Sequence, residues 1–409
     1  MPALDFEGSN TWYASHGLHA YAAKCPPQLV RYALSYYSSK GDTILDPMVG
    51  SGTTLVESRL LGRHSIGYDF DPLARLIAKV KSTPISDDHV ATALANILRQ
   101  LEKQSETPKI PAFPNRDYWF DTNVLRDLTT LADAIAAARM TASTRDFFWV
   151  VFSSLILSKT SVANARDIIH SRHHHWDHKD VPDVLGRFKV RVAKMRRQMA
   201  EFSRFCTKVP EISVRCEVGD ARSLSLPDDS VDLIFTSPPY ATALDYTRAH
   251  FLVLPWMHRI LGVTFEEYLG RAPDYVGSEK GRFPREISID PALSQLKKCT
   301  TVLEQLTPAS ERLAKRIHRY FAQMRLVLIQ MARVLKPSRH AVIVVCPSHL
   351  RKIQIPTNEI LTELANSAGL QLRREYTRTI SERRRLLPYV KESFGHRMDL
   401  EYILILQKT

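Results

Sequence analysis

The chain has 409 residues, 44% hydrophobic and 24% charged, with 56 Lys and Arg against 43 Asp and Glu for a formal net charge of +13. That is the composition of a globular protein of one large or two ordinary domains, and it excludes a disordered or fibrous chain; no apolar run is long enough to cross a bilayer. The excess of base favours a polyanionic partner, of which nucleic acid is the commonest. The five cysteines (Cys25, Cys206, Cys216, Cys299, Cys346) are scattered without a CxxC pair, so neither a disulfide framework nor a zinc ribbon is indicated. No basic-then-apolar leader follows Met1, and a cytoplasmic location with free thiols is expected.

In chain order, an irregular opening from Trp12 runs into Pro26-Pro27, where an amphipathic helix begins and extends to Leu34. The short strand Thr43–Asp46 ends in an acid. It is followed by Pro47-Met48-Val49-Gly50-Ser51-Gly52-Thr53-Thr54 and a helix from Leu55 to Leu61. Strand, glycine turn and helix open a nucleotide-binding βαβ unit, because small residues let a ligand approach the backbone and the helix aims its N–H groups at it. The next strand, Ser65 to Asp69, ends in a second acid, placed to accept hydrogen bonds from ribose hydroxyls. No GxGxxG accompanies it, which argues against a dinucleotide enzyme.

From Ser82 to Arg204 the pattern turns helical (Val90–Leu101, Val124–Ala138, Phe147–Leu157, Val184–Phe202), broken by a proline-rich link at Pro108–Pro114. The expected organisation is a first part of the main domain at 1–83, a helical insertion and candidate DNA-recognition subdomain at 84–205, and a second part at 206–409. The insertion carries a basic, histidine-rich cluster in which Arg166, Arg172, His173 and Lys179 are candidates for phosphate or base contact. No metal-ligand scaffold is clear in it. Strand character returns at Ile212–Val218 before Gly219-Asp220-Ala221, where Asp220 is placed to accept from an adenine amine. Gly270–Lys298 reads as an irregular substrate-side segment, Leu313–Val334 as a long helix, Ala341–Cys346 as a strand and Thr357–Ala368 as a helix. A basic loop from Arg378, with Arg383 and Arg384 as further phosphate candidates, precedes a last strand at Leu400–Leu406.

The stretch Val231–Tyr240 carries the chemistry. A buried strand delivers Thr236-Ser237-Pro238-Pro239-Tyr240, and two prolines fix φ and remove two backbone donors, so the turn offers acceptors beside an aromatic face. That suits an exocyclic amine, which has two N–H donors to satisfy and whose lone pair is freed for attack as the nitrogen is bent toward tetrahedral.

With DPMVGSGTT, the acid-tipped second strand, VGDA and TSPPY together, the chain resembles the DNA amino-methyltransferases, which use S-adenosylmethionine to methylate the exocyclic nitrogen of cytosine or adenine. HGLHAYAAKCPPQLV resembles the family segment over the methionine end of the cofactor, and ARVLKP with VIVV resembles its later helix and strand. The resemblance implies an α/β, Rossmann-like mixed sheet of seven strands flanked by helices. It implies cofactor contacts from Tyr21, Asp46, Pro47, Met48, Gly50, Ser51, Gly52, Thr53, Thr54, Asp69 and Asp220, and a target-base site at Ser237, Pro238, Pro239 and Tyr240. The implied substrate is a base flipped out of double-stranded DNA, with Tyr240 stacking on it, in a restriction–modification or host-marking role that a cognate endonuclease could share. In many such enzymes the SPPY motif precedes the glycine turn; here the glycine turn leads.

A serine at the first motif position usually accompanies cytosine in this family, so the product expected is N4-methylcytosine. N6-adenine methylation is the next reading, followed by amino-methylation of RNA and then by a non-catalytic DNA-binding subunit. Carbon methylation of cytosine is rejected because no Pro-Cys pair exists to supply its nucleophile.

Overall fold

Continuous apolar runs explain the centre of the molecule, a sheet in the order β5-β2-β1-β6-β7-β11-β10. Its strands are β1 (Thr43–Asp46), β2 (His64–Asp69), β5 (Val214–Val218), β6 (Val231–Thr236), β7 (Leu335–Val345), β10 (Leu370–Thr379) and β11 (Leu400–Lys408). Ile44, Leu233, Phe235, Val342, Val344, Ile403 and Ile405 face α1 (Pro27–Tyr37) on one side. Leu45, Ile234, Ala341, Ile343, Leu404 and Leu406 face the helices Glu311–Val334 and Thr357–Ser367 on the other. Successive side chains of a strand point to opposite faces, so continuous apolar runs are what a sheet covered on both sides requires. The computed structural model describes residues 4–22, 24–103, 106–158, 160–166, 174–175, 178, 180–241, 250–278, 291–350, 353–380 and 400–409, with the side chains of Arg166 and His174 outside that description.

The sheet is mixed, as the resemblance implied. Pairs β1–β2, β1–β6, β2–β5 and β6–β7 are parallel, whereas β11 runs antiparallel to both β7 and β10. Strand β7 starts earlier than expected, at Leu335 rather than Ala341. Its ladder with β6 jumps from Val231↔Leu335 to Leu233↔His340, so Pro337 falls in an irregular stretch that asks no amide of it. Two short hairpins, β3–β4 (Ala165–Arg166 with His174–His175) and β8–β9 (Ser348–Leu350 with Ile353–Ile355), lie outside the sheet.

Helices α2 (Thr53–Leu60) and α3 (Pro72–Ser82) follow β1 and β2. The expected insertion folds as α4 (Asp87–Lys103), α5 (Arg116–Trp119), α6 (Thr122–Ala137), α7 (Ala142–Ile156) and α8 (Val184–Cys206). Its core is not separate from the rest: Phe147, Phe148, Phe152, Phe188 and Met195 share one apolar cluster with Leu73, Leu76 and Ile77 of α3 and with Leu252–Tyr268 after the proline turn. The helical layer is thus welded to α3 and to Leu252–Tyr268.

Two sequence expectations are corrected. Gly270–Lys298 is not wholly irregular. A 3-10 turn at Ala272–Asp274 and a helix at Pro291–Ser294 occupy it, the helix Lys297–Ala309 begins within it, and residues 279–290 lie outside the described residues. Arg378 does not open a basic loop; it ends β10 and is buried against Glu401. No helix among the described residues is long and apolar enough to cross a membrane.

Candidate active site

Strand order reverses between β1 and β6, since β2 flanks β1 on one side and β6 leads outward to β7 on the other. Ligands of open α/β sheets bind in the crevice outside the carboxyl ends of strands at such a switch point. A cleft opens there, lined from β1 and its turn by Asp46, Met48, Gly50, Ser51 and Thr54, from β2 by Asp69 and Asp71, and from β6 by Ser237 and Pro239. Pro47, Thr53, Tyr21 and Asp220 complete the part of the lining that sequence had singled out.

The turn after β1 is held by its own amides. Gly50 N donates to Asp69 Oδ2 at 2.8 Å and Val49 N to the Tyr68 carbonyl at 2.8 Å, which fastens the turn to the end of β2. Asp46 is buried and accepts from Thr54 Oγ1 at 2.6 Å and Met48 N at 3.2 Å. Burial pushes its carboxyl up to about 6, against the pull of those donors. Asp69 is pushed up to about 7, first by burial and then by the neighbouring charge of Asp71. Asp71 caps α3 through Leu73 N and Ala74 N and also accepts from His250 Nδ1 at 2.8 Å and Tyr268 Oη at 2.6 Å. These donors outweigh its burial and hold it below the usual carboxylate range.

The opening segment is pinned over this cleft by one buried acid. Glu57 of α2 accepts from Tyr13 Oη at 2.6 Å, His16 Nε2 at 2.8 Å and Arg31 Nε at 2.7 Å. Three donors on one carboxylate fix the path of residues 13–16, and with it Tyr21, whose ring lies where a side chain on Gly50 would have to go, 3.3 Å from the ideal Cβ. Lys24 follows in the lining. Its ammonium donates to the His16 carbonyl at 3.0 Å and sits 4.9 Å from the Trp12 ring centroid, and burial pulls its pKa down to about 8.

Gly52, Asp220, Pro238 and Tyr240 have partners of their own or lie outside that lining. Gly52 is not in the wall; with φ +82° it begins α2 where an ideal Cβ would lie 2.7 Å from Ala78 Cα, so it serves the packing of α2 on α3. Asp220 is not an idle acceptor, because Arg222 grips it with Nε at 2.9 Å from Oδ1 and Nη2 at 2.7 Å from Oδ2. Pro238 and Tyr240 are not among the lining residues; the Tyr240 hydroxyl donates to Glu401 Oε1 at 3.0 Å. Arg166 lies in β3 opposite His174, with its side chain outside the described residues, as are Arg172, His173, Lys179, Arg383 and Arg384 altogether.

Sequence reasoning passed over Lys24, Arg222 and Tyr275, which also line the cleft. Arg222 had a signal, a cation two positions after an acid-tipped strand. Tyr275, whose ring meets Phe70 edge-on at 5.0 Å, had none beyond its place in the segment after the proline turn.

A family profile described as DNA methylase matches residues 5–79, which include the glycine turn and the end of β2. The chain is 24% identical over 405 residues to the type II methyltransferase M.MvaI of Kocuria varians, covering 93% of this chain and 87% of that one. It is 23% identical over 397 residues to the type II methyltransferase M.BsoBI of Geobacillus stearothermophilus, covering 83% and 75%. Among solved structures, a TehB-like SAM-dependent methyltransferase from Corynebacterium glutamicum superposes with a TM-score of 0.30 at 10% identity over 93% of this chain and 87% of that one, too loosely to carry an argument. The chain is thus similar to DNA methylases across its glycine turn and to type II methyltransferases along most of its length.

Proposed function

We propose that the protein transfers the methyl group of S-adenosylmethionine to the exocyclic N4 amine of a cytosine extruded from duplex DNA. The observation that carries this reading is the meeting of two turns in one cleft: Ser237 and Pro239, ending β6, share a wall with Asp46–Thr54, ending β1. An acceptor for an amine therefore faces a cradle for a small cofactor. The serine at the head of the motif is what favours cytosine over adenine.

The cleft fits a cationic adenosyl cofactor by charge. Asp46, Asp69, Asp71, Asp220 and Asp274 line it, against Lys24 and Arg222. Arg222 is already spanned by Asp220, so Lys24 is left, among the described lining residues, as the cation not paired with a carboxylate. Lys24 would hold the carboxylate of the methionine portion, Asp69 the ribose hydroxyls, and Asp220 with Arg222 the adenine. When bound, the cofactor supplies a methyl group already activated on a sulfonium. The protein's own tasks are to place the nitrogen lone pair in line, to hold the amine at the Ser237 hydroxyl and to exclude water.

On the DNA side, the net charge of +13 suits a phosphate backbone. The basic cluster at Arg166, Arg172, His173 and Lys179, with Arg383 and Arg384, keeps its proposed role in phosphate contact, and residues 84–205 keep theirs as the recognition subdomain. A role in restriction–modification in the cytoplasm, alongside a cognate endonuclease, follows from this reading. Transfer of labelled methyl from S-adenosylmethionine to duplex DNA and not to RNA tests it.

Cofactor affinity should be bell-shaped in pH. Ribose hydroxyls donate to ionised Asp69, so binding strengthens as pH rises through about 7; the carboxylate needs protonated Lys24, so binding weakens above about 8. Lys24→Met should remove the alkaline limb and weaken S-adenosylmethionine by about 10-fold or more, the worth of a charge-assisted hydrogen bond. Binding of 5′-methylthioadenosine, which lacks the amino-acid portion, should be unchanged. Calorimetry at several pH values checks all three; equal losses for both ligands would assign Lys24 a structural role.

A further inference from the structure

Tyr240 closes the proline turn, and its hydroxyl reaches along the carboxyl end of the sheet to β11. It donates to Glu401 Oε1 at 3.0 Å, and the other oxygen of that carboxylate accepts from Arg378 Nε at 2.5 Å. Arg378 and Glu401 stand directly opposite each other across β10 and β11. Their side chains are only 5% and 11% exposed. One carboxylate thus serves two partners in a nearly dry place.

A buried ion pair is a poor net stabiliser, because desolvation of both charges offsets their attraction, so its use is sought in what it orients. What it orients here is a phenol. The residue before Tyr240 is fixed independently, since Tyr320 Oη donates to the Pro239 carbonyl at 2.9 Å. With the backbone held on one side and the hydroxyl on the other, the two side-chain torsions of Tyr240 are both constrained, and its ring plane is set before any base arrives. A phenylalanine would offer the same ring without the tether.

We propose that Glu401 and Arg378 are positioning residues for Tyr240, holding its ring as a pre-set platform for the extruded base; this rests on the reading of the turn as the target-base site. Neither touches substrate. Their effect reaches the reaction through the Tyr240 hydroxyl, across 161 positions of sequence.

The test is a mutant cycle on the full chain, with duplex plasmid DNA free of N4-methylcytosine and labelled S-adenosylmethionine. The variants are Tyr240→Phe, Arg378→Met/Glu401→Leu, which replaces the pair by apolar side chains of similar size, and all three changes together. Tyr240→Phe should lower kcat by about 10-fold, the scale of one lost orienting hydrogen bond, with Tm and cofactor Kd unchanged. The pair replacement should cost about as much, and the triple change no more than either, because groups acting through one contact are not additive. Wild-type kcat in Tyr240→Phe, or multiplied losses in the triple variant, would overturn the proposal. If the pair replacement fails to fold, kcat of Tyr240→Phe decides alone. A wild-type protein that transfers no methyl to DNA defeats the underlying reading and this one with it; an active wild type with an indifferent Tyr240→Phe defeats only this one.

Discussion

Ser237→Ala should lower turnover on DNA by about 100-fold while leaving the affinity for S-adenosylmethionine within about twofold, the range seen when one preorganised polar group is removed from a reacting centre. The reason lies in where the hydroxyl sits. Ser237 lines the cleft on the β6 side, whereas the groups assigned to the cofactor come from the opening segment at Lys24, from β1 and β2, and from the turn at Asp220. A hydrogen bond that strengthens as the amine bends toward tetrahedral contributes to the transition state more than to binding, so its loss appears in kcat. Single-turnover rates and equilibrium binding on the same variant separate the two. A weakened Kd with unchanged kcat would move Ser237 from the amine to the cofactor.

Gly52→Val should damage the fold as well as the site. The left-handed φ of +82° costs a β-branched residue about 1–3 kcal/mol, and a Cβ 2.7 Å from Ala78 Cα meets helix backbone rather than a yielding side chain. Overpacking adds about 1–3 kcal/mol, so the melting temperature should fall on the order of 5 °C or more. Gly50 differs: its would-be neighbour is the ring of Tyr21 in the cleft wall, so bulk there presses on the site rather than on α3. Thermal denaturation with a cofactor titration distinguishes the two glycines. A Gly52→Val protein with wild-type Tm that no longer binds cofactor would return Gly52 to the ligand.

Much of the site was legible because it is local. The DPMVGSGTT turn, the acid ending β2 and the SPPY turn each advertise themselves within a few residues, through glycine, proline and the end of an apolar run. Parallel pairing then carries β1, β2 and β6 side by side and brings their ends together. Satisfaction of those groups was not legible, because it is long-range. Nothing near Tyr240 in sequence names Glu401, nothing near Gly52 names Ala78, and nothing near His16 names Glu57. The segment after Gly270 misled for a related reason: its prolines read as irregularity, yet Pro273 sits in a 3-10 turn at Ala272–Asp274 and Pro291 at the start of the helix Pro291–Ser294, where a missing amide costs nothing. The helical layer read as an insertion from its own periodicity, while the residues joining it to α3 and to Leu252–Tyr268 were not legible because they belong to stretches far away in the chain.

The most direct measurement of the proposed chemistry is nucleoside mass spectrometry of duplex DNA incubated with the protein and methyl-labelled S-adenosylmethionine, with Ser237→Ala as the control. The expected result is label in N4-methylcytosine that falls about 100-fold in the variant. Label confined to N6-methyladenine would contradict the assignment of the base, and no labelled nucleoside in DNA at all would contradict the reading of the cleft as a DNA amino-methylation site.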